Sequence, residues 1–163
     1  MTCRAPSCGE RLVSADQGLT LPRALAEQLL QHARAELPTE ACGLLAGSLT
    51  DGLATTYFPA RNADASPLRY SVHPDDLVRI TFAIEDAGQD LVAIFHSHTR
   101  TPAVPSPTDL RAAMYPDAFY LLASLTDPAA TPERALRAWR IHGGQSFEVP
   151  LRVDEGGSGT LLA

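Results

Sequence analysis

Lysine is absent: all 13 basic residues are arginine, set against 19 acidic residues for a formal net charge of −6. The arginines are scattered along the chain, and without a basic patch nucleic acid is excluded as a main partner. Genome base composition accounts for the arginine-only usage. Cysteine is scarce as well. The three thiols, Cys3, Cys8 and Cys42, are an odd number and argue against the disulfide framework of small secreted proteins. Cys3 and Cys8 sit five apart with no second pair to complete a zinc site, so they read as free thiols. No apolar run approaches the ~20 residues that span a bilayer, and no membrane helix is expected. The opening MTCRAPSCGERLV lacks the basic-then-apolar order of a secretory signal, which makes a cytoplasmic location the expectation.

What is present suits one soluble globular domain: 163 residues, 45% hydrophobic and 20% charged, enough to bury a core without staples. Residues 1–18 read as a flexible leader, 19–153 as the folded body and 154–163 (DEGGSGTLLA) as a Gly-rich flexible tail. Thr20 as N-cap and Pro22 in the first turn announce a helix whose Leu25, Leu29 and Ala33 recur every four residues up to Pro38. Cys42–Ala46 and Leu53–Phe58 form a hairpin around Gly47–Gly52. Tyr70 and Val72 alternate as in a short strand. After Pro74, Leu77, Ile80, Ile84 and Ala87 make a helical stripe closed by Gly88. Leu91–Phe95 is a continuous apolar run, expected as a strand covered on both faces. A proline-rich loop over 102–107 leads into a short helix from Asp109 to Met114. Phe119–Leu125 and Ala135–Ile141 read as buried strands, and Phe147 to Val153 as one edge strand interrupted by Pro150. The sum is an α/β or α+β fold, a mixed sheet flanked by helices.

Of the five histidines, His96 and His98 close the most apolar strand. Residues i and i+2 of a strand face the same way, so the two imidazoles project together while Ser97 points oppositely. Such a pair is half of a zinc site. Further on, Ser106-Pro-Thr-Asp109 has the pattern of a helix N-terminus, with Ser as N-cap, Pro at the first position and an acid at the third. A cap fixes where the Asp109 carboxylate points and leaves one oxygen for a metal. Two histidines and one carboxylate leave the fourth tetrahedral position open, as a catalytic zinc requires. Amide hydrolysis also needs a group that accepts a proton and returns it to the leaving amine. Glu36, Glu40, Glu85 and Asp86 all border expected elements, and position alone does not choose among them. Cys42 and Trp139 read as core residues and His73 as a residue at a helix entrance.

His96-Ser-His98, seven residues, Ser106, two residues and Asp109 together resemble the motif of the JAMM (MPN-plus, Mov34/PAD1-like) zinc metalloproteases. Pro38-Thr-Glu40-Ala-Cys-Gly-Leu-Leu45 is similar to the segment that carries this family's catalytic glutamate. Arg61 to Tyr70, running into His73-Pro74, resembles small bacterial members similar to sulfur-carrier-protein–cysteine hydrolases. The likeness covers roughly residues 19–142. It implies a curved mixed sheet between helices with a deaminase-like architecture. It assigns His96, His98 and Asp109 to one Zn2+ per chain, Glu40 to acid/base work and Ser106 to the tetrahedral oxyanion. Thr99 departs from the pattern, standing where a proline commonly follows the second histidine. After Asp109 there is no Cys and only His142, so the extra zinc-bearing insertion of some polyubiquitin-cleaving relatives is not expected.

Other metal motifs fit worse. Arg100 and Thr101 stand where HxHxDH needs its acid and histidine, and Pro102 and Ala103 where a cupin needs its Glu. The chain is shorter than an amidohydrolase barrel and has no Pro-Cys-x-x-Cys for a zinc deaminase. The resemblance thus implies hydrolysis of peptide or isopeptide bonds after the C-terminal Gly-Gly of a ubiquitin-like or sulfur-carrier protein. The alternatives are a metallopeptidase for free peptides or small amides and a non-catalytic MPN scaffold. A homodimer is compatible with the sequence.

Overall fold

A computed structural model describes residues 17–156, in which eight strands form a single sheet with four helices packed against it. In chain order the elements are β1 (Leu19–Pro22), α1 (Arg23–Ala35), β2 (Cys42–Ser48), β3 (Leu53–Ala60), α2 (Pro74–Asp86) and β4 (Asp90–His98). They continue as α3 (Pro107–Ala112), β5 (Phe119–Ser124), α4 (Pro132–Ala135), β6 (Leu136–His142), β7 (Gln145–Val149) and β8 (Leu151–Asp154). The sheet order is β7-β6-β5-β4-β2-β3-β1-β8. Parallel pairs (β4 with β5, β1 with β3 and β8) mix with antiparallel ones. The fold is therefore a curved mixed sheet flanked by helices, as expected from the sequence.

Alternation along each strand divides the core into two layers. On one face the α1 stripe of Leu25, Leu29 and Ala33 packs on Leu45, Phe95 and Leu121. On the other, Ile80 and Ile84 of α2 pack with Leu44, Ile94, Leu122 and Trp139. β4 lies mid-sheet between β2 and β5 and is buried from Val92 to His98, which is why its apolar run is unbroken. His96 and His98 follow Ile94 onto the α2 face. Ser97 turns to the opposite side, where its Oγ accepts the Ala41 N–H (2.8 Å).

Four local expectations change. Thr20 does not cap α1: it lies in β1, and Pro22 occupies the N-cap position without any side-chain cap bond. Leu19 and Leu21 are fully buried while Thr20 is not, a period-two signal that the downstream helical stripe masks. The segment 147–153 is not one edge strand. Proline has no N–H to donate to a ladder, and Pro150 divides the segment into β7 and β8, which lie at opposite edges of the sheet. The helix expected from Asp109 begins at Pro107, because the cap is Ser106. Around Tyr70 the strand reduces to a single bridge between Asn62 and Val72. The leader and tail, with Cys3 and Cys8, fall outside the described residues except at their inner ends. Gln17 donates to the Leu49 and Thr50 carbonyls, and Asp154 ends β8.

Candidate metal centre

β4 delivers two imidazoles and the first turn of α3 delivers a carboxylate to one point. His96 Nε2 and His98 Nε2 are 3.1 Å apart, and they lie 3.3 and 3.2 Å from the same oxygen, Asp109 Oδ2. All three residues are buried. Ligands at ~2.0–2.1 Å on the corners of a tetrahedron stand about 3.3 Å from one another, so the spacing matches a zinc-sized cation. The proton inventory agrees. His98 Nδ1 lies 2.8 Å from the Pro102 carbonyl, which can only accept, so the ring proton sits on Nδ1 and the Nε2 lone pair faces the cluster. Two imidazole nitrogens and a carboxylate oxygen so placed could share one metal ion. Among the described residues this is the group of three side chains arranged to hold a metal.

The electrostatics favour the ligand-competent forms of His96 and Asp109. Burial pulls the His96 imidazole below its ordinary value, keeping it neutral despite Asp109. Burial acts upward on Asp109, but its close contacts with His96 and His98 outweigh this and hold the carboxyl well below the usual range. Burial pulls His98 downward, and there Asp109 and the Pro102 carbonyl prevail, for a net upward shift.

Asp109 is aimed by a capping box. Ser106 Oγ accepts the Asp109 N–H (3.1 Å), and Asp109 Oδ2 accepts the Ser106 N–H (2.7 Å). The oxygen engaged in the cap is the one directed at the histidines. His96 is held by stacking: the Tyr70 ring lies over it at 4.3 Å between centroids and 20° between planes.

Glu40 reaches the same region from the residues preceding β2. It is buried, and its Oε2 has no hydrogen-bond partner. Burial pushes its carboxyl up to about 7; the His98 charge opposes the shift and the Asp109 charge adds to it. Among the described residues only three buried side-chain nitrogen or oxygen atoms lack a hydrogen-bond partner, and two of them, Glu40 Oε2 and His96 Nδ1, belong to this cluster. Orphaned polar atoms are costly in a core and mark places where something else binds or reacts. The structure thus brings together the five residues singled out in the sequence: Glu40, His96, His98, Ser106 and Asp109.

Other residues take the structural roles expected of them. Cys42 is buried with its thiol pushed up to about 12, chiefly by burial. Trp139 donates Nε1–H to the Ala103 carbonyl (2.9 Å), and His73 caps α2 by accepting the Asp75 N–H (3.3 Å). Sequence reasoning missed Tyr70 as a partner of His96 and Pro102 as the acceptor for His98. Both lie in irregular loops, where no periodicity announces which side chain or carbonyl faces inward.

The chain belongs to the family of prokaryotic homologs of the JAB domain, whose profile matches residues 22–142. It is 40% identical over 131 residues to the CysO-cysteine peptidase of Mycobacterium tuberculosis, an alignment covering 80% of this chain and 88% of that protein. It is 38% identical over 141 residues to the desampylase of Haloferax volcanii, covering 83% and 96% of the two chains. The solution structure of a protein from Desulfitobacterium hafniense matches with a TM-score of 0.73 at 32% identity, over 84% of this chain and 94% of that one. A JAB1/MPN domain protein from Archaeoglobus fulgidus, at 18% identity and a TM-score of 0.53, covers 84% of this chain and 97% of its own and shares the fold.

Proposed function

We propose that this chain is a zinc-dependent hydrolase that cleaves the peptide or isopeptide bond following the C-terminal Gly-Gly of a ubiquitin-like or sulfur-carrier protein. The observation that carries the reading is the buried cluster itself: three converging ligand atoms beside a buried carboxyl whose Oε2 has no hydrogen-bond partner. The names of the relatives, CysO-cysteine peptidase and desampylase, support a carrier-protein conjugate as the substrate.

His96, His98 and Asp109 would hold one zinc. When bound, zinc supplies Lewis acidity, polarising a carbonyl and making water acidic enough to ionise near neutral pH. Glu40 accepts the proton of the attacking water on its carboxylate and returns it to the departing amine. Burial raises the affinity of this carboxyl for a proton, which suits a group that must both take up and release one. The hydroxyl of Ser106 already accepts the Asp109 N–H, which leaves its O–H to donate to the oxygen that gains charge during attack. Burial of the cluster excludes competing bulk water and strengthens each of these interactions.

Glu40→Gln tests the reading. The variant should retain one zinc per chain by elemental analysis and lose cleavage of carrier-protein conjugates by about 10²–10⁴-fold, the usual contribution of a general acid–base group. Full activity in that variant, or in the thoroughly chelated wild type, overturns it. Cleavage of short peptides at rates equal to conjugates would move the substrate to free peptides. A purified protein without metal would favour the scaffold alternative.

A further inference from the structure

Glu40 is restrained from its backbone and not from its carboxyl end. No hydrogen bond holds Oε2, and the residue precedes β2, so no ladder partner fixes it. Instead its N–H donates to the Ser66 carbonyl (2.9 Å), and its own carbonyl accepts from Asn62 Nδ2 (3.1 Å). Both partners lie in the irregular segment 61–73.

Asn62 organises that segment. The second Nδ2 hydrogen goes to the Arg69 carbonyl (3.1 Å), and Oδ1 accepts the N–H groups of Asp64 and Ser71 (both 3.1 Å). Two donors and two acceptor positions are the whole capacity of a carboxamide. The Asn62 main chain adds the bridge to Val72, and its carbonyl accepts the Ala65 N–H (3.1 Å). Ala65 has a φ of +45°, a left-handed conformation that favours glycine. That turn presents the next carbonyl, Ser66, to Glu40. The same segment lays Tyr70 on His96 and offers the Pro67 carbonyl to Thr99 Oγ1 (3.0 Å). One side chain therefore closes the loop on itself and ties it to Glu40, whose carboxyl feels the charges of His98 and Asp109.

We propose that Asn62 is a positioning residue for Glu40, setting the direction of its carboxyl by clamping its backbone to the 61–73 loop. The inference rests on the proposed acid/base role of Glu40. A carboxyl with no restraint at its own oxygens inherits its aim from its backbone, and a misplacement of 1 Å at a reacting group costs about 10²-fold in rate.

Asn62→Asp is the informative variant. It is isosteric, keeps both acceptor bonds and removes both donors. In the full-length, zinc-loaded protein it should lower kcat by about 10–100-fold while KM changes by less than about threefold and zinc stays at one per chain. Combined with Glu40→Gln it should lower the residual rate no further, since a residue acting through Glu40 has nothing left to position. Hydrogen exchange at the Glu40 amide should accelerate by at least about tenfold in Asn62→Asp and in Asn62→Ala, the second variant guarding against a folding defect peculiar to the first. Wild-type exchange at that amide, or a raised KM at unchanged kcat, overturns the proposal. The exchange measurement needs no substrate. If the wild type cleaves no conjugate, the reading of the site fails while the clamp is still decided.

Discussion

Ser97 sits between the two histidines in sequence yet takes no part in their cluster. Its Oγ crosses to the other side of the sheet and accepts the buried Ala41 N–H at 2.8 Å, while its own N–H donates to the Ala41 carbonyl at 3.0 Å. The pair joins the start of β2 to the end of β4, on the approach to Glu40. Ser97→Ala should leave a buried donor unpaired and lower stability by about 1–3 kcal/mol in chemical denaturation, with zinc stoichiometry unchanged. At this scale the sequence was legible where a periodicity or a cap constrains direction. His96 and His98 follow from the two-residue repeat of a strand, and Asp109 from helix capping. Glu40 was reached by resemblance alone, because the physics that marks it, a buried carboxyl without a partner, exists only in three dimensions. Asn62 and Tyr70 were not reached as site residues. Each acts across a loop, through contacts that no local spacing encodes.

Among the elements, α2 shows how a helix start is fixed by charge as well as by a cap. Asp76, in its first turn, accepts from the Arg61 backbone N–H (2.8 Å) and from Arg61 Nε (2.9 Å) and Nη2 (3.1 Å). The Arg61 guanidinium and backbone hold the Asp76 carboxyl well below the usual carboxylate range. A folded-state value below the unfolded one gives stability that is full above about pH 4 and lost as the pH falls further. Asp76→Asn should therefore weaken the protein near neutral pH, and the gap from wild type should narrow by about pH 3 in denaturation at the two conditions. Two helices carried clear sequence signatures: Pro74 begins α2, Gly88 follows it at a φ of +64°, and the Ser106–Asp109 box begins α3. The short strands did not. β1 and β8 are four residues each, too brief for alternation to outweigh the prolines beside them.

For the molecule as a whole, the decisive feature is that β7 and β8 are separated only by Pro150 and yet stand at opposite edges of the sheet. The sheet must curl until its edges nearly meet, giving an almost closed barrel. The seam where β1 pairs with β8, beside Pro150, is tightly packed. The Pro150 carbonyl accepts the Leu19 N–H (2.9 Å), and a Cβ on Gly18 would lie 2.6 Å from that same oxygen. Gly18→Ala should accordingly cost about 1–3 kcal/mol, read as a lower denaturation midpoint with metal binding intact, since the clash is remote from the histidines. Arg23 adds charge across the seam, pairing with both Glu133 and Glu155.

That seam also orders events in time. β2 to β5 pair within residues 42–124, and every residue of the metal cluster and of the Asn62 clamp lies at or inside those bounds or just before them. β1, by contrast, must wait for residues 151–154 before its second neighbour exists. On a chain emerging from the ribosome, the central strands that carry the cluster can meet before residues 151–154 are made. The register of β1 against β8 comes last and bears the largest loop-closure entropy of the fold.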